Sequence, residues 1–337
     1  MADRPGSSPG PGDAEDPELD ERELALLEEI EDASDAARGA RSDLAGLHGR
    51  GYIGALPAAV PGMAPAAAVL GRLIDAVEDD PRWHFLTLRA LPPRAAHGEV
   101  LRLRLGSDPG LGVPPADAVA ALLRGAGAVV DLLVRRDAGP PPRCSVAVEL
   151  SDGIRLRLLA APAGAVPPGS VVLHGTDRAA PEAGTADRPA PGPAPGARPG
   201  SVPASSPAAD FARARTWLFE GWWALGDVAA AIGASSFLEA GEALAEVRRA
   251  VCRLWAVGEG VPDAGAGLAG LLRVPAARTP KGLELLMPRP LPAELRTAAL
   301  AAADLLHAAA NHAGRRLGQV PRSGLEQAVR TRLSARR

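Results

Sequence analysis

Two short stretches of the chain alternate apolar and basic residues in the same way: Leu101-Arg102-Leu103-Arg104-Leu105 and, further on, Ile154-Arg155-Leu156-Arg157-Leu158. Strict alternation marks a strand with one buried and one polar face. The two segments therefore read as strands of one sheet, with leucines in the core and arginines on the open side. A guanidinium is planar, permanently charged and rich in donors. It grips carboxylates and phosphates through paired hydrogen bonds and cannot ligate a cation. Arg102, Arg104 and Arg157 are thus candidate anion-binding residues, for a nucleotide, a phosphorylated metabolite or an acidic protein segment. The plainer alternative is a solvated or helix-covered sheet face. The chain holds 36 Arg against one Lys, Lys281, so a single arginine says little and the repeated pattern says more.

Other chemistry is thinly represented. Cys144 and Cys252 are too few for a disulfide scaffold or a zinc site and read as buried thiols. The histidines are dispersed, and His307 and His312 stand five apart on one predicted helix, a poor spacing for a shared metal. No Walker loop, dinucleotide fingerprint, G-x-S-x-G elbow or H-E-x-x-H helix occurs. No catalytic residue and no metal ligand is assigned.

The elements that must position the arginines follow from periodicity. Residues 1–15 form an acidic, Pro/Gly-rich start expected to be disordered. A helix opens at Asp16-Pro17 with Leu24, Leu27 and Ile30 as its stripe, and the segment from Gly49-Arg50-Gly51 through Pro57 to Pro65 reads as loop. A second helix spans about 65–79 on Leu70, Leu73, Ile74 and Val77. Strands follow at 85–88, 100–105, 129–134 (mostly buried), 146–150, 154–159 and 171–173, with a helix at 115–124. Ser151-Asp152-Gly153 marks a hairpin. Residues 175–208 are a Pro/Ala/Gly-rich linker. Helices then come at about 210–233, 236–257 and 291–316, with shorter ones near 267–273, 281–286 and 323–334. Trp217, Trp222, Trp223 and Trp255 read as a core seam of this part. The fold class is α+β, with a domain at 16–174, a helical bundle at 209–318 and a basic C-terminal tail at 319–337.

The net charge of −3 conceals an asymmetry, because residues 1–50 carry 14 acids and 5 arginines while residues 315–337 carry 7 arginines and one acid. The basic end reads as a solvated tail, paired with the chain's own acidic end; nucleic acid is not the expected partner. The first residues lack a basic start and an apolar core, so no signal peptide is expected, and no apolar run is long enough to span a membrane. A cytoplasmic protein is the expectation.

The order helix, strand, broken loop, strand, helix, strand, hairpin, linker and bundle resembles the nucleotidyltransferase superfamily, in particular the aminoglycoside (streptomycin) adenylyltransferase-like members. Leu73-Ile74-Asp75-Ala76-Val77-Glu78-Asp79-Asp80-Pro81-Arg82 followed by Trp83-His84-Phe85-Leu86-Thr87-Leu88 looks like the family's helix and first strand. Leu150-Ser151-Asp152-Gly153-Ile154-Arg155-Leu156-Arg157-Leu158 looks like its hairpin into the third-carboxylate strand. Val171-Val172-Leu173-His174, Trp222-Trp223-Ala224 and Glu239-Ala240-Gly241-Glu242-Ala243-Leu244 resemble later segments. The resemblance implies a mixed sheet with flanking helices. It also implies a Gly-Ser turn and three magnesium-binding aspartates. Ala90-Leu91 stands where Gly-Ser would, Arg102 and Arg104 where the Asp-x-Asp pair would, and Arg157 in the third position. The implied protein has lost metal-dependent nucleotidyl transfer and acts by binding, with no cofactor. One alternative is an active enzyme using ATP and magnesium to adenylylate a small molecule such as an aminoglycoside. It would draw on Asp131, Asp152 or Glu99, or on the stray Gly106-Ser107-Asp108. Another is a structural, interaction or antitoxin-like protein with a protein partner.

Overall fold

The structure, a computed structural model, describes residues 39, 42–60, 62–89, 100–107, 116–137, 142–162, 170–175 and 206–335. The expected helix at Asp16, the Ala90-Leu91 pair, Glu99, Asp108 and most of the 175–208 linker lie outside them. Helix α1 (Gly49–Ala59) corrects the loop expected there. Its glycines and Pro57 argue against a helix, yet Tyr52 and Leu56, one turn apart, are both buried in the core. Pro57 sits near the C-terminal end, where the helix stops within two residues. Helix α2 (Ala64–Glu78) has Pro65 in its first turn and buries Leu70, Leu73, Ile74 and Val77, as its 3.6-residue period requires.

Strands β1 (Trp83–Arg89) and β2 (Val100–Ser107) precede helix α3 (Ala116–Ala126). Strands β3 (Val129–Asp137), β4 (Arg143–Leu150), β5 (Arg155–Pro162) and β6 (Ser170–His174) follow it. They form one six-stranded sheet in the order β3-β4-β5-β2-β1-β6. The two alternating segments are neighbours, paired in parallel with Leu101 opposite Leu156, Arg102 opposite Arg157 and Leu103 opposite Leu158. The other pairings are antiparallel, so the sheet is mixed. Strand β3 is an outer strand and mostly half-buried, not the buried strand its apolar run suggests.

Period-2 alternation sends Leu86, Leu88, Leu101, Leu103, Leu105, Val146, Val148, Leu156 and Leu158 to one face, where they form a core with α1, α2 and α3. The opposite face is covered by helices. Helix α4 (Pro207–Gly233) is capped by Ser206, whose Oγ accepts from the Ala209 N–H at 3.2 Å, with Pro207 at its first position. It packs with α5 (Phe237–Gly258) and α7 (Pro292–Leu317), while the one-turn α6 (Leu268–Leu271) leans on α5. This second core also takes in Val100, Val130, Leu133 and Ala147 from the sheet. The region is therefore α+β with a mixed sheet between two helical layers, followed in sequence by an all-helical part. Among the described residues no helix is long and apolar enough to cross a membrane.

The last element, α8 (Leu325–Ser334), corrects the solvated basic tail. Leu325 and Val329 are fully buried against the bundle, and Arg330 binds Asp304 at 2.9 Å and Glu326 at 3.2 Å. Arg332 reaches back to the buried Glu149 of β4 at 2.6 Å. Leu325, Val329 and Leu333 recur every fourth residue on one side of the helix, and that stripe, not its charge, decides where it lies.

Candidate functional site

The polar face of β2 and β5 does not open to solvent as expected. It forms the floor of a cavity of about 1020 Å³ whose roof is α4 and α5. Arg102, Arg104 and Arg157 all line it. Parallel register puts Arg102 directly beside Arg157, and Arg104 lies one pleat along the same strand, opposite Thr87 of β1. Arg102 and Arg157 are exposed to the cavity, whereas Arg104 is half-buried near the Phe85 ring. Burial pulls the Arg104 guanidinium below its usual range, and the charge of Arg143 adds to the effect.

Three further arginines line the same space: Arg89 from β1, Arg135 from β3 and Arg253 from α5. None was singled out from sequence. Asp131, Leu133 and Arg135 share a period-2 alternation that could have placed Arg135 on this face, but Arg253 is brought in by tertiary packing alone. Three carboxylates face the six arginines, and all three come from the helical roof and are already engaged. Glu220 pairs with Arg135 and, at 3.9 Å, with Arg253; Asp227 pairs with Arg155 at 2.6 Å; Glu246 pairs with Arg249. Arg135 is itself held below the usual range by burial and by the charges of Arg157 and Arg253. Among the described residues no carboxylate pairs with Arg89, Arg102 or Arg157. The floor is therefore a field of positive charge with few counter-charges of its own.

Arg155, two residues before Arg157 on the same face, departs most from expectation. It is completely buried. Its Nη1 binds Asp227 Oδ1 at 2.6 Å, its Nη2 donates to the Trp223 carbonyl at 2.7 Å, and Glu149 lies 3.8 Å from its Nε. The guanidinium rests on the Trp223 ring, 4.0 Å from the centroid, with Arg157 also over that ring at 5.6 Å. A Cβ on Gly226 would come within 3.3 Å of its Cζ, so a glycine in α4 gives the guanidinium its room. Burial pushes this arginine's pKa down; Asp227 and Glu149 oppose that.

The residues expected to rescue a metal site have other employment. Asp131 is buried at a bulge in β3. Its carboxylate accepts from Ser323 Oγ at 2.7 Å and the Gly324 N–H at 3.0 Å and pairs with Arg215, so it fastens the start of α8. Asp152 lies exposed in the hairpin turn and accepts from the Ile154 N–H at 3.2 Å. A Cβ on Gly106 would meet the Phe85 ring at 2.2 Å, and Ser107 donates to the Ala161 carbonyl at 3.3 Å, so that Gly-Ser pair serves packing. His307 and His312 part company, bonded to Glu326 and Glu259 at 2.9 Å each. Among the described residues no three His, Cys, Asp or Glu side chains gather as a metal would need. Magnesium does not fit the sheet positions, which present guanidinium groups in place of oxygen ligands. Of the four tryptophans expected in a core seam, Trp222 and Trp223 are buried. Trp217 and Trp255 are only partly so, Trp255 stacking on His312 at 4.3 Å.

No protein-family model matches the chain, and no curated protein matches it. Among solved structures, an aminoglycoside 6-adenyltransferase from Bacillus subtilis is similar at 13% identity, over 79% of this chain and 97% of that one, with a TM-score of 0.32.

Proposed function

We propose that this chain is a nucleotidyltransferase-like protein that binds a polyanionic small molecule, a nucleotide or phosphorylated metabolite, and has lost metal-dependent nucleotidyl transfer. The observation that carries the reading is the meeting of Arg102, Arg104 and Arg157 in one cavity, with Arg102 and Arg157 side by side and unpaired by carboxylates among the described residues. Two adjacent guanidinium groups on a rigid sheet suit a phosphate chain, because each can make a bidentate contact without first breaking an internal ion pair. Binding of this kind weakens with salt and has no need of a divalent ion. The nucleotidyltransferase-like part of the reading rests on the motif order. Loss of transfer follows from the arginines at the positions where that order calls for aspartates.

Calorimetry with ATP, GTP and inorganic tripolyphosphate, with and without magnesium, tests the reading. Binding is expected in both conditions and should weaken at least tenfold in Arg102→Ala/Arg157→Ala. That corresponds to the loss of one charge-assisted hydrogen bond, at ~1.5–3 kcal/mol. No heat with any of the three at low salt would remove the reading. Magnesium-dependent adenylylation of an aminoglycoside that disappears in Asp131→Ala would replace it with the active-enzyme alternative.

A further inference from the structure

We propose that the cavity takes an organic phosphate laid across the sheet, with its anionic head on Arg89, Arg102 and Arg157 and an apolar or aromatic group at the Leu133–Ala147 end. The proposal rests on the reading of the cavity as an anion site and adds the class of anion and its orientation. The strand pairings set cavity-lining residues in one row. Leu133 of β3 lies opposite Ala147 of β4, Ala147 opposite Arg157 of β5, and Arg157 opposite Arg102 of β2. On β1, the antiparallel ladder that pairs Leu88 with Leu103 brings Arg89 next to Arg102, and Ser170 of β6 lies opposite Arg89. All six line the cavity. Adjacent strands stand ~4.8 Å apart, so the three arginines cover ~10 Å of a row that runs ~19 Å from Arg89 to Leu133.

The two ends of the row differ in chemistry. At the β1–β2–β5 end three guanidinium groups stand side by side, none paired with a carboxylate among the described residues. At the β4–β3 end Ala147 and Leu133 are half-buried and pack against the helical core. The roof follows the same division. Trp223 of α4 lies over Arg157, its ring centroid 5.6 Å from the guanidinium. One turn earlier α4 has reached β3, where Arg215 binds Asp131 and Glu220 binds Arg135. Phe219 of that turn, stacked on Trp223, also lines the cavity. The arginines near this end, Arg135 and Arg253, share Glu220, so its charge is already balanced. A bare phosphate chain would cover the arginine half of the row and leave the apolar half facing water. The whole cavity, at about 1020 Å³, has the size of one that encloses an organic ligand, ~300–1,000 Å³.

Calorimetry on the full chain with two matched pairs of probes tests this: ATP against inorganic tripolyphosphate, and geranyl diphosphate against pyrophosphate. Within each pair the phosphate chain is the same and only the organic group differs, aromatic in the first and aliphatic in the second. At least one organic member is expected to bind about tenfold tighter than its inorganic partner, a gain that burying ~55 Å² of apolar surface supplies at ~25 cal/mol per Å². The pair that shows the gain tells aromatic from aliphatic. Ala147→Leu, which fills the apolar end, and Leu133→Ser, which removes apolar surface on an outer strand, are each expected to abolish the gain. Tripolyphosphate affinity should stay within about twofold, which also shows that the variant is folded; the native-chain comparison decides the class in any case. Equal, arginine-dependent binding within both pairs overturns the proposal and leaves the anion site standing. A gain that survives both substitutions overturns the assignment of the apolar end. If none of the four probes binds, the anion reading falls and this proposal falls with it.

Discussion

Arg155 and Arg157 stand two residues apart on one strand and one face, and their surroundings could hardly differ more. The Arg155 end of the face is closed. A guanidinium with no exposed surface is held by Asp227, Glu149 and a carbonyl, and Arg332 of α8 completes the group from the far side of Glu149. The Arg157 end is open, and its neighbour across the sheet is another arginine, Arg102. Arginine type and strand register are the same at both ends. What differs is whether a carboxylate from the helical layer comes within reach. A buried ion pair contributes little net stability but is costly to break, whereas an arginine facing a cavity leaves the fold nearly indifferent and remains available to a ligand.

The comparison breaks most easily at its closed end. Arg155→Ala leaves Glu149 buried with one partner fewer and should cost ~3–5 kcal/mol in a urea-unfolding titration. A loss below ~1 kcal/mol would mean that the closed end is no more structural than the open one. Asp131→Ala should cost ~1–3 kcal/mol, because Ser323 and Gly324 lose their acceptor. Hydrogen exchange should then quicken at 325–334 before it does in the sheet. Thiol labelling reads the same contrast in another way. Burial pushes the Cys144 and Cys252 thiols above their usual range, so the native chain should stay unreacted with a disulfide reagent at pH 8 while the urea-unfolded chain reacts fully. In Arg155→Ala, labelling through opening should accelerate by ~100-fold or more, at tenfold per ~1.4 kcal/mol. Arg157→Ala should give the smallest stability change, within ~0.5 kcal/mol, while anion binding weakens. A large loss of stability there would make Arg157 a second Arg155.

Much of the sheet was legible because its signals are local. Alternation at 101–105 and 154–158 gave two strands, and in-register pairing made them neighbours. The stripe at Leu70, Leu73, Ile74 and Val77 gave α2, and Asp152-Gly153 gave the hairpin. What stayed hidden depended on partners distant in sequence. Nothing near residue 155 announces Asp227, 72 residues on, so the arginine that anchors the helical layer looked like its solvated neighbours. Helix α1 was obscured by glycines and Pro57, whose cost is outweighed by burying Tyr52 and Leu56. The C-terminal arginines suggested a solvated tail because charge counts ignore Leu325 and Val329, which determine where that helix packs. The cavity itself is legible only in part: Arg102, Arg104 and Arg157 came from the pattern, whereas Arg89 and Arg253 came from the third dimension.

The docking of α8 also sets a schedule. Asp131 and Glu149 are buried, yet the groups that satisfy them, Ser323, Gly324 and Arg332, come 192, 193 and 183 residues later. At ~5–20 residues per second on the ribosome, the sheet emerges ~10–40 s before these last partners do, with Asp131 and Glu149 only partly satisfied by Arg215 and Arg155. A message truncated before codon 332 yields a chain that carries every strand but lacks the Arg332 partner of Glu149.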